Sequence, residues 1–309
     1  MKFAIETWAT EYGSPMEIDA LDPSATNVDV GVERDGDKWS AISPPATTEV
    51  PEKILFTDGV RRIDARVWIE DAEGQTRPGV CASYAAGAMC CDGKAKLTAA
   101  VVERGLFSAV KGVEPITSRH TTYGIRRAEG DAPEQLWLAI QVRMAELEAK
   151  IAAEEEVELV IVDGPLRSGQ GTSHAVGYVK THHVSYLEPE QTAIVTSLQP
   201  GQRSPVFGLM GRYARFSWYL RLPGDIGHPW SGIVRCECSA DMDDAAAVAL
   251  ADKVAAALPR FASHSHKDAR APQNLYPIAG LERELRRRLG DAQLLYRDLR
   301  VAAATQAAG

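Results

Sequence analysis

Two short apolar runs in this chain end on the same dipeptide. Lys53–Val60 reads Lys-Ile-Leu-Phe-Thr-Asp-Gly-Val, and Val157–Gly164 reads Val-Glu-Leu-Val-Ile-Val-Asp-Gly. Apolar runs of this length, rich in β-formers and bounded by a turn signal, suit buried central strands. Glycine lets the backbone turn sharply, so Asp58 and Asp163 are each expected at the end of a strand, where a sheet opens to solvent. Strands distant in sequence can be neighbours in one sheet, and two carboxylates brought together repel unless a cation lies between them. A divalent ion with oxygen ligands answers that need. The chemistry suggested is metal-dependent hydrolysis, and it requires Asp58 and Asp163 to meet across one cation-sized gap.

Hydrolysis of a phosphodiester needs an activated water, neutralised phosphoryl oxygens and a stabilised leaving oxygen. Two divalent ions roughly 3.5–4 Å apart supply all three, and they call for three or four carboxylates. A third acid is expected from the helix that precedes the second Asp-Gly strand. Asp131-Ala-Pro-Glu134 opens that helix, with Pro133 at its first position and Glu134 in its first turn. Leu136, Ile140, Met144, Leu147 and Ile151 then recur on one apolar stripe. Glu146, beside that stripe near Met144 and Leu147, is the preferred ligand. Glu148, about 200° round the helix from it, is the alternative. The plainer reading of either is a surface glutamate on an amphipathic helix.

Positions 1–50 are polar, Pro-rich near their end and carry strand signals such as Val28–Val32. They are expected to form a partly β N-terminal extension to a domain over 51–309. After Asp58-Gly59, the alternation of Val60, Ile63, Ala65, Val67 and Ile69 predicts a half-buried antiparallel strand. A turn at 71–74, strands at Val80–Ala88 and Ala95–Glu103, and a tight turn at Cys91–Lys94 continue the meander. Beyond Asp163 come a Gly/Ser-rich loop at 168–173, a strand at Ala175–Lys180, and strand-rich pieces at Thr192–Leu198 and Tyr213–Leu222. A strand at Gly232–Ser239, an Ala-rich helix from about Asp243 to Leu258 and a basic helix at Ile278–Leu289 follow. Strands, then a helix, then a strand ending in Asp is the order of a ribonuclease H-like α/β domain, a mixed sheet flanked by helices.

With 309 residues, 45% hydrophobic and 25% charged, the chain is long enough for a large core. No apolar stretch approaches the roughly 20 residues of a membrane span, and the N-terminus lacks a signal-peptide segment, so a cytoplasmic protein is expected. The net charge of −8 speaks against a protein that coats DNA. It is compatible with a nuclease, whose metal-binding acids add negative charge while phosphate contacts stay local. Local basic pieces exist at Arg61-Arg62, Arg126-Arg127, Arg212 with Arg215, and Arg286–Arg288. The last is most simply a solvated helix face. The five cysteines lack paired CxxC elements and read as buried thiols. Phe216, Trp218 and Tyr219 read as core rather than a base-stacking platform.

Phe56-Thr57-Asp58-Gly59 and Ile161-Val-Asp-Gly-Pro-Leu166 resemble the two aspartate motifs of NurA nucleases. Val176-Gly-Tyr-Val-Lys-Thr181 is similar to the stretch where that family carries a lysine. Pro272-Gln-Asn-Leu-Tyr-Pro-Ile278 before a helix resembles its C-terminal pattern, and the likeness spans about Lys53 to Gly290. The resemblance implies a ribonuclease H-like fold and a Mn²⁺- or Mg²⁺-dependent nuclease. Such an enzyme acts 5′ to 3′ on DNA ends and endonucleolytically on single strands. It also implies a homodimer working with a hexameric HerA-type ATPase in end resection, repair or phage defence. By the same resemblance Asp58, Asp163 and Glu146 are metal ligands and Lys180 a phosphate or scissile-group contact. The acid many relatives place after the late Pro-rich motif is absent here until Glu282, which leaves His266, Asn274, Glu282 or no residue for a fourth place. His182 and His183, close after Lys180, are further candidates to face the site, with exposure on a loop as the plainer reading. Two other readings remain open: a catalytically silent dimeric scaffold docked on an ATPase, and an actin-like phosphotransferase. The latter is disfavoured because Arg61-Arg62 stands where a phosphate loop needs glycines.

Overall fold

The structure, a computed structural model, describes residues 27–70, 73–166, 174–182, 184–211, 213–224 and 227–307. The first 26 residues of the expected extension, Asp71 and Ala72 of the expected turn, the 168–173 loop, His183 and Arg212 lie outside the described residues. In chain order the elements are β1 (Asn27–Asp29), β2 (Ile54–Glu70), β3 (Thr76–Cys91), β4 (Ala95–Ser108), β5 (Ile116–Thr117), β6 (Thr122–Arg127), α1 (Pro133–Ala153), β7 (Leu159–Asp163), β8 (Ala175–Val179), α2 (Pro189–Ser197), β9 (Phe207–Met210), β10 (Arg215–Arg221), β11 (Ile233–Ser239), α3 (Asp244–Ala257), α4 (Tyr276–Arg288) and α5 (Ala292–Ala307). They fall into two compact units. One gathers the described residues of Met1–Phe56, Met89–Lys96 and Glu155–Ala279, and the other those of Thr57–Ala88, Leu97–Glu154 and Gly280–Gly309.

In the first unit the strands run in the order β1-β9-β10-β11-β8-β7. All neighbours are antiparallel except β7 and β8, which are parallel. Side chains of period two divide the sheet's faces. Phe216, Trp218 and Leu220 of β10 and Val234, Cys236 and Cys238 of β11 share a core with Ala247, Leu250, Ala251 and Val254 of α3. Tyr219 and Ile233 belong to a second core with Trp39, Phe207 and Val195 of α2. Helix α3 starts where expected because the Asp243 carboxylate accepts from Ala246 N at 2.7 Å.

Thr192–Leu198 is not a strand. Its β-branched residues favour one, but Pro189 and Glu190 begin a helix, and α2 buries Val195 in the second core. Residues 27–50 are part of this packing. β1 pairs with β9, Trp39 is buried, and Glu33 holds the buried Arg203 through bonds of 2.7 and 2.9 Å.

The second unit orders its strands β2-β3-β4-β6-β5, with β4 and β6 parallel. All five stripe residues of α1 are buried, and Pro133 stands at the helix start. Leu281 and Leu285 of α4 lie against Gly87 of β3. The carbonyls at the end of α4 are capped by arginines: Arg62 donates to Gly290 O at 2.7 Å and Arg104 to Leu289 O at 3.1 Å. Arg286, Arg287 and Arg288 pair with Glu282 and Glu284 along α4 itself, the solvated face expected of them.

One expectation fails here in an instructive way. Asp58-Gly59 does not turn the chain; β2 runs through it without a break, and Gly59 is not among the glycines with positive φ. The glycine is required for close approach. A Cβ at Gly59 would overlap Glu148 Oε1 and stand 2.8 Å from Met144 Cγ, both on α1. Asp163-Gly164 does behave as expected: β7 ends at Asp163, and Gly164 turns with φ +103°.

Candidate active site

Strand register explains the central contact of the first unit. Leu159 and Ile161 of β7 and Val176 and Tyr178 of β8 point into one core, and Asp163 lies opposite Tyr178. The same alternation carried to the strand ends places Asp163 and Lys180 on that face, side by side. Lys180 Nζ lies 2.7 Å from each carboxylate oxygen of Asp163, and the two side chains are only 3% and 12% exposed. At that depth the pairing stabilises both charges, and neither could keep its charge alone without a large desolvation cost.

The late Pro-rich segment closes over this pair. Asn274, with no solvent exposure, accepts from Lys180 Nζ at 3.1 Å and donates through Nδ2 to Asp268 Oδ2 at 2.6 Å. Asp268 is in turn bonded by Arg270 N at 2.8 Å. Burial raises the Asp268 pKa, but the bonds from Arg270 N and the Asn274 amide, with the Arg270 charge, outweigh it and hold the carboxyl below its ordinary value. An ionised carboxylate only accepts, so it fixes the Asn274 amide with its oxygen towards Lys180. Tyr178 OH also donates to Gln273 O at 2.6 Å, tying the segment to β8.

The turn after Asp163 is anchored from behind. Gly164 N donates to Tyr178 O at 2.9 Å, and Leu166 N to the buried Glu237 Oε1 at 2.7 Å. Gly177 permits this, since a Cβ there would stand 2.8 Å from Leu166 N and 2.9 Å from Glu237 Cγ. Glu237 is itself neutralised by Arg235 and Arg215.

In the second unit Asp58 is buried in mid-strand, its carboxylate accepting from Gly59 N at 2.7 Å. The two helix glutamates differ sharply. Glu146 is exposed and bonded to Arg143 at 2.8 Å. Glu148 is buried, its carboxylate against the backbone directly after Asp58. Arg61 stacks over the Trp137 ring at 4.4 Å on the same helix.

Other candidates are placed elsewhere. His182 bonds to Ile233 O at 3.0 Å and packs against Trp230 and Tyr219. His266 is exposed beside His264, which bonds to Tyr276 OH. All five cysteines are free and buried; burial pushes the Cys91 thiol up to about 11, consistent with inert thiols. Asp268 and Glu237 were not foreseen. Neither stands in a sequence pattern of its own, and each reaches the site only through the tertiary closure of a loop or sheet.

Among the described residues no group of three or more His, Cys, Asp and Glu side chains is gathered as a metal site would be. The donors that are present are oxygens: the Asp163 carboxylate and Asn274 amide in one unit, and the Asp58 and Glu148 carboxylates in the other. That donor chemistry suits a hard divalent cation such as Mg²⁺ or Mn²⁺ and not a thiophilic one.

These features define an α/β protein with a charged, buried site at the carboxyl ends of two parallel strands, where open α/β sheets bind their ligands. The family described as the NurA domain matches residues 70–287, and the chain belongs to that family. No curated protein matches the chain. Among the described residues no helix is long and apolar enough to cross a membrane.

Proposed function

We propose that this chain is a divalent-metal-dependent deoxyribonuclease built on a ribonuclease H-like arrangement of its sheet. Membership of a nuclease-associated family supports the reaction class. The observation that carries the site is the largely buried Asp163–Lys180–Asn274 constellation at the strand ends. Asp163 in one unit and Asp58 in the other are the aspartates that would serve as ligands to Mn²⁺ or Mg²⁺, as the family likeness implies. Glu148 replaces Glu146 as the third ligand in this reading, because it is the buried acid at Asp58-Gly59 while Glu146 faces solvent. The bound ion supplies Lewis-acid stabilisation of phosphoryl charge and a water of lowered pKa. Lys180 places one positive charge for the scissile phosphate, and Asn274 keeps that ammonium aimed at the strand end.

The reading extends to a homodimer acting with a HerA-type hexameric ATPase in DNA end processing, repair or phage defence; family membership supports this part. The test is end-labelled DNA with Mn²⁺, wild type against Asp58→Ala, Asp163→Ala and Glu148→Ala. Loss of at least ~10²-fold in each variant is expected, as for removal of a group that stabilises transition-state charge. Activity surviving both aspartate changes would refute the assignment.

A further inference from the structure

We propose that Lys180 is a resident cation that opposes metal entry: it neutralises Asp163 until a divalent ion arrives, and then shifts towards Asn274. The inference rests on the divalent-ion reading above. Its basis is geometric. The ammonium sits 2.7 Å from both oxygens of Asp163 and donates to Oδ2, so its positive charge occupies the side of the carboxylate between the two oxygens. Asn274 Oδ1, at 3.1 Å from the same nitrogen, offers a second pole, and Asp268 keeps that oxygen pointed at Lys180. A lysine on a flexible stem can exchange acceptors through a small movement of Nζ, which an arginine fork could not do as readily.

Two positive charges competing for one carboxylate repel strongly at such distances. Binding of an ion therefore works against Lys180, and the metal affinity of the wild type is set below what its acids alone would give. Retention by Asn274 keeps the displaced ammonium beside the site, ready for an incoming phosphate, instead of in solvent.

The experiment is Mn²⁺ titration by calorimetry of the full chain without DNA, comparing wild type, Lys180→Met, Lys180→Gln and Asn274→Ala. Both lysine variants are expected to bind Mn²⁺ at least ~10-fold more tightly than wild type. Asn274→Ala, which removes the second pole, is expected to bind several-fold more weakly. Lys180→Gln retains a hydrogen-bonding group for Asp163 and carries the test should Lys180→Met not fold. Equal or weaker binding by the folded lysine variants overturns the proposal while leaving the divalent-ion reading intact. Absence of Mn²⁺ binding by wild type at millimolar concentration overturns that reading, and this inference with it.

Discussion

At the scale of single residues, the helix glutamates and Gly59 make the sharpest claims. Glu146 and Glu148 are identical in type and two residues apart on opposite sides of α1, and one is bonded to Arg143 in solvent while the other is buried against Gly59. Glu148→Gln should lower nuclease activity by at least ~10²-fold. Glu146→Gln should leave it within about twofold, as an exposed ion pair contributes little. Equal losses in kcat/KM would restore Glu146 to the site. Gly59→Ala would force a methyl into Glu148 and Met144, and overpacking of this kind costs roughly 1–3 kcal/mol, readable as a lowered urea midpoint with unchanged slope. Asp268 gives a pH dependence with a definite sign. Its folded pKa is lowered, so its stabilisation is complete above the ordinary carboxylate value and is lost as pH falls through the folded one. Urea unfolding at pH 6 and pH 3 should show a smaller acid loss in Asp268→Asn than in wild type; an identical loss would mean the carboxylate is not held as described.

At the scale of elements, the stripe of α1 and the start of α3 were legible because each depends on residues a few positions apart. The end of β7 was legible for the same reason: Gly164 adopts the left-handed conformation its position invites. The failures have the opposite cause. Gly59 is shaped by a helix far along the chain, and α2 overrides the β-propensity of Thr192, Ile194, Val195 and Thr196 by burying Val195 beside Trp39. Of the site, Asp163 and Lys180 could be read from local pattern and family likeness. The role of Asp268 could not, since nothing local announces that its carboxylate will orient an amide six residues on. The segment around Glu33 shows the same tertiary dependence. Its carboxylate bonds Arg203 and Val206 N, and Arg203 is almost fully buried. Glu33→Ala should therefore cost roughly 3 kcal/mol in urea unfolding, the scale for removing one partner of a buried ion pair. A change under about 0.5 kcal/mol would show that Asp252 alone satisfies Arg203.

At the scale of the whole molecule, the charge balance sets the conditions for meeting DNA. A net charge of −8 repels a polyanion at long range, and the acids assigned to the site repel it again at contact. Attraction must come from local cations, and many arginines are already committed: Arg203 to Glu33 and Asp252, Arg235 to the buried Glu237, Arg62 and Arg104 to the end of α4, Arg286–Arg288 to neighbouring glutamates. A bound divalent ion would then act as substrate anchor as well as catalyst, because it reverses the sign of the local field. This leads to a measurement independent of turnover. Fluorescence anisotropy with a phosphorothioate-linked single strand, which resists cleavage, should give at least ~10-fold weaker binding in EDTA than with Mn²⁺ at about 0.1 M salt. In Asp163→Ala the difference should shrink towards unity, since the ion has lost a ligand. Should EDTA leave wild-type affinity unchanged, the phosphates are held by arginines alone, and the acids serve chemistry without serving binding.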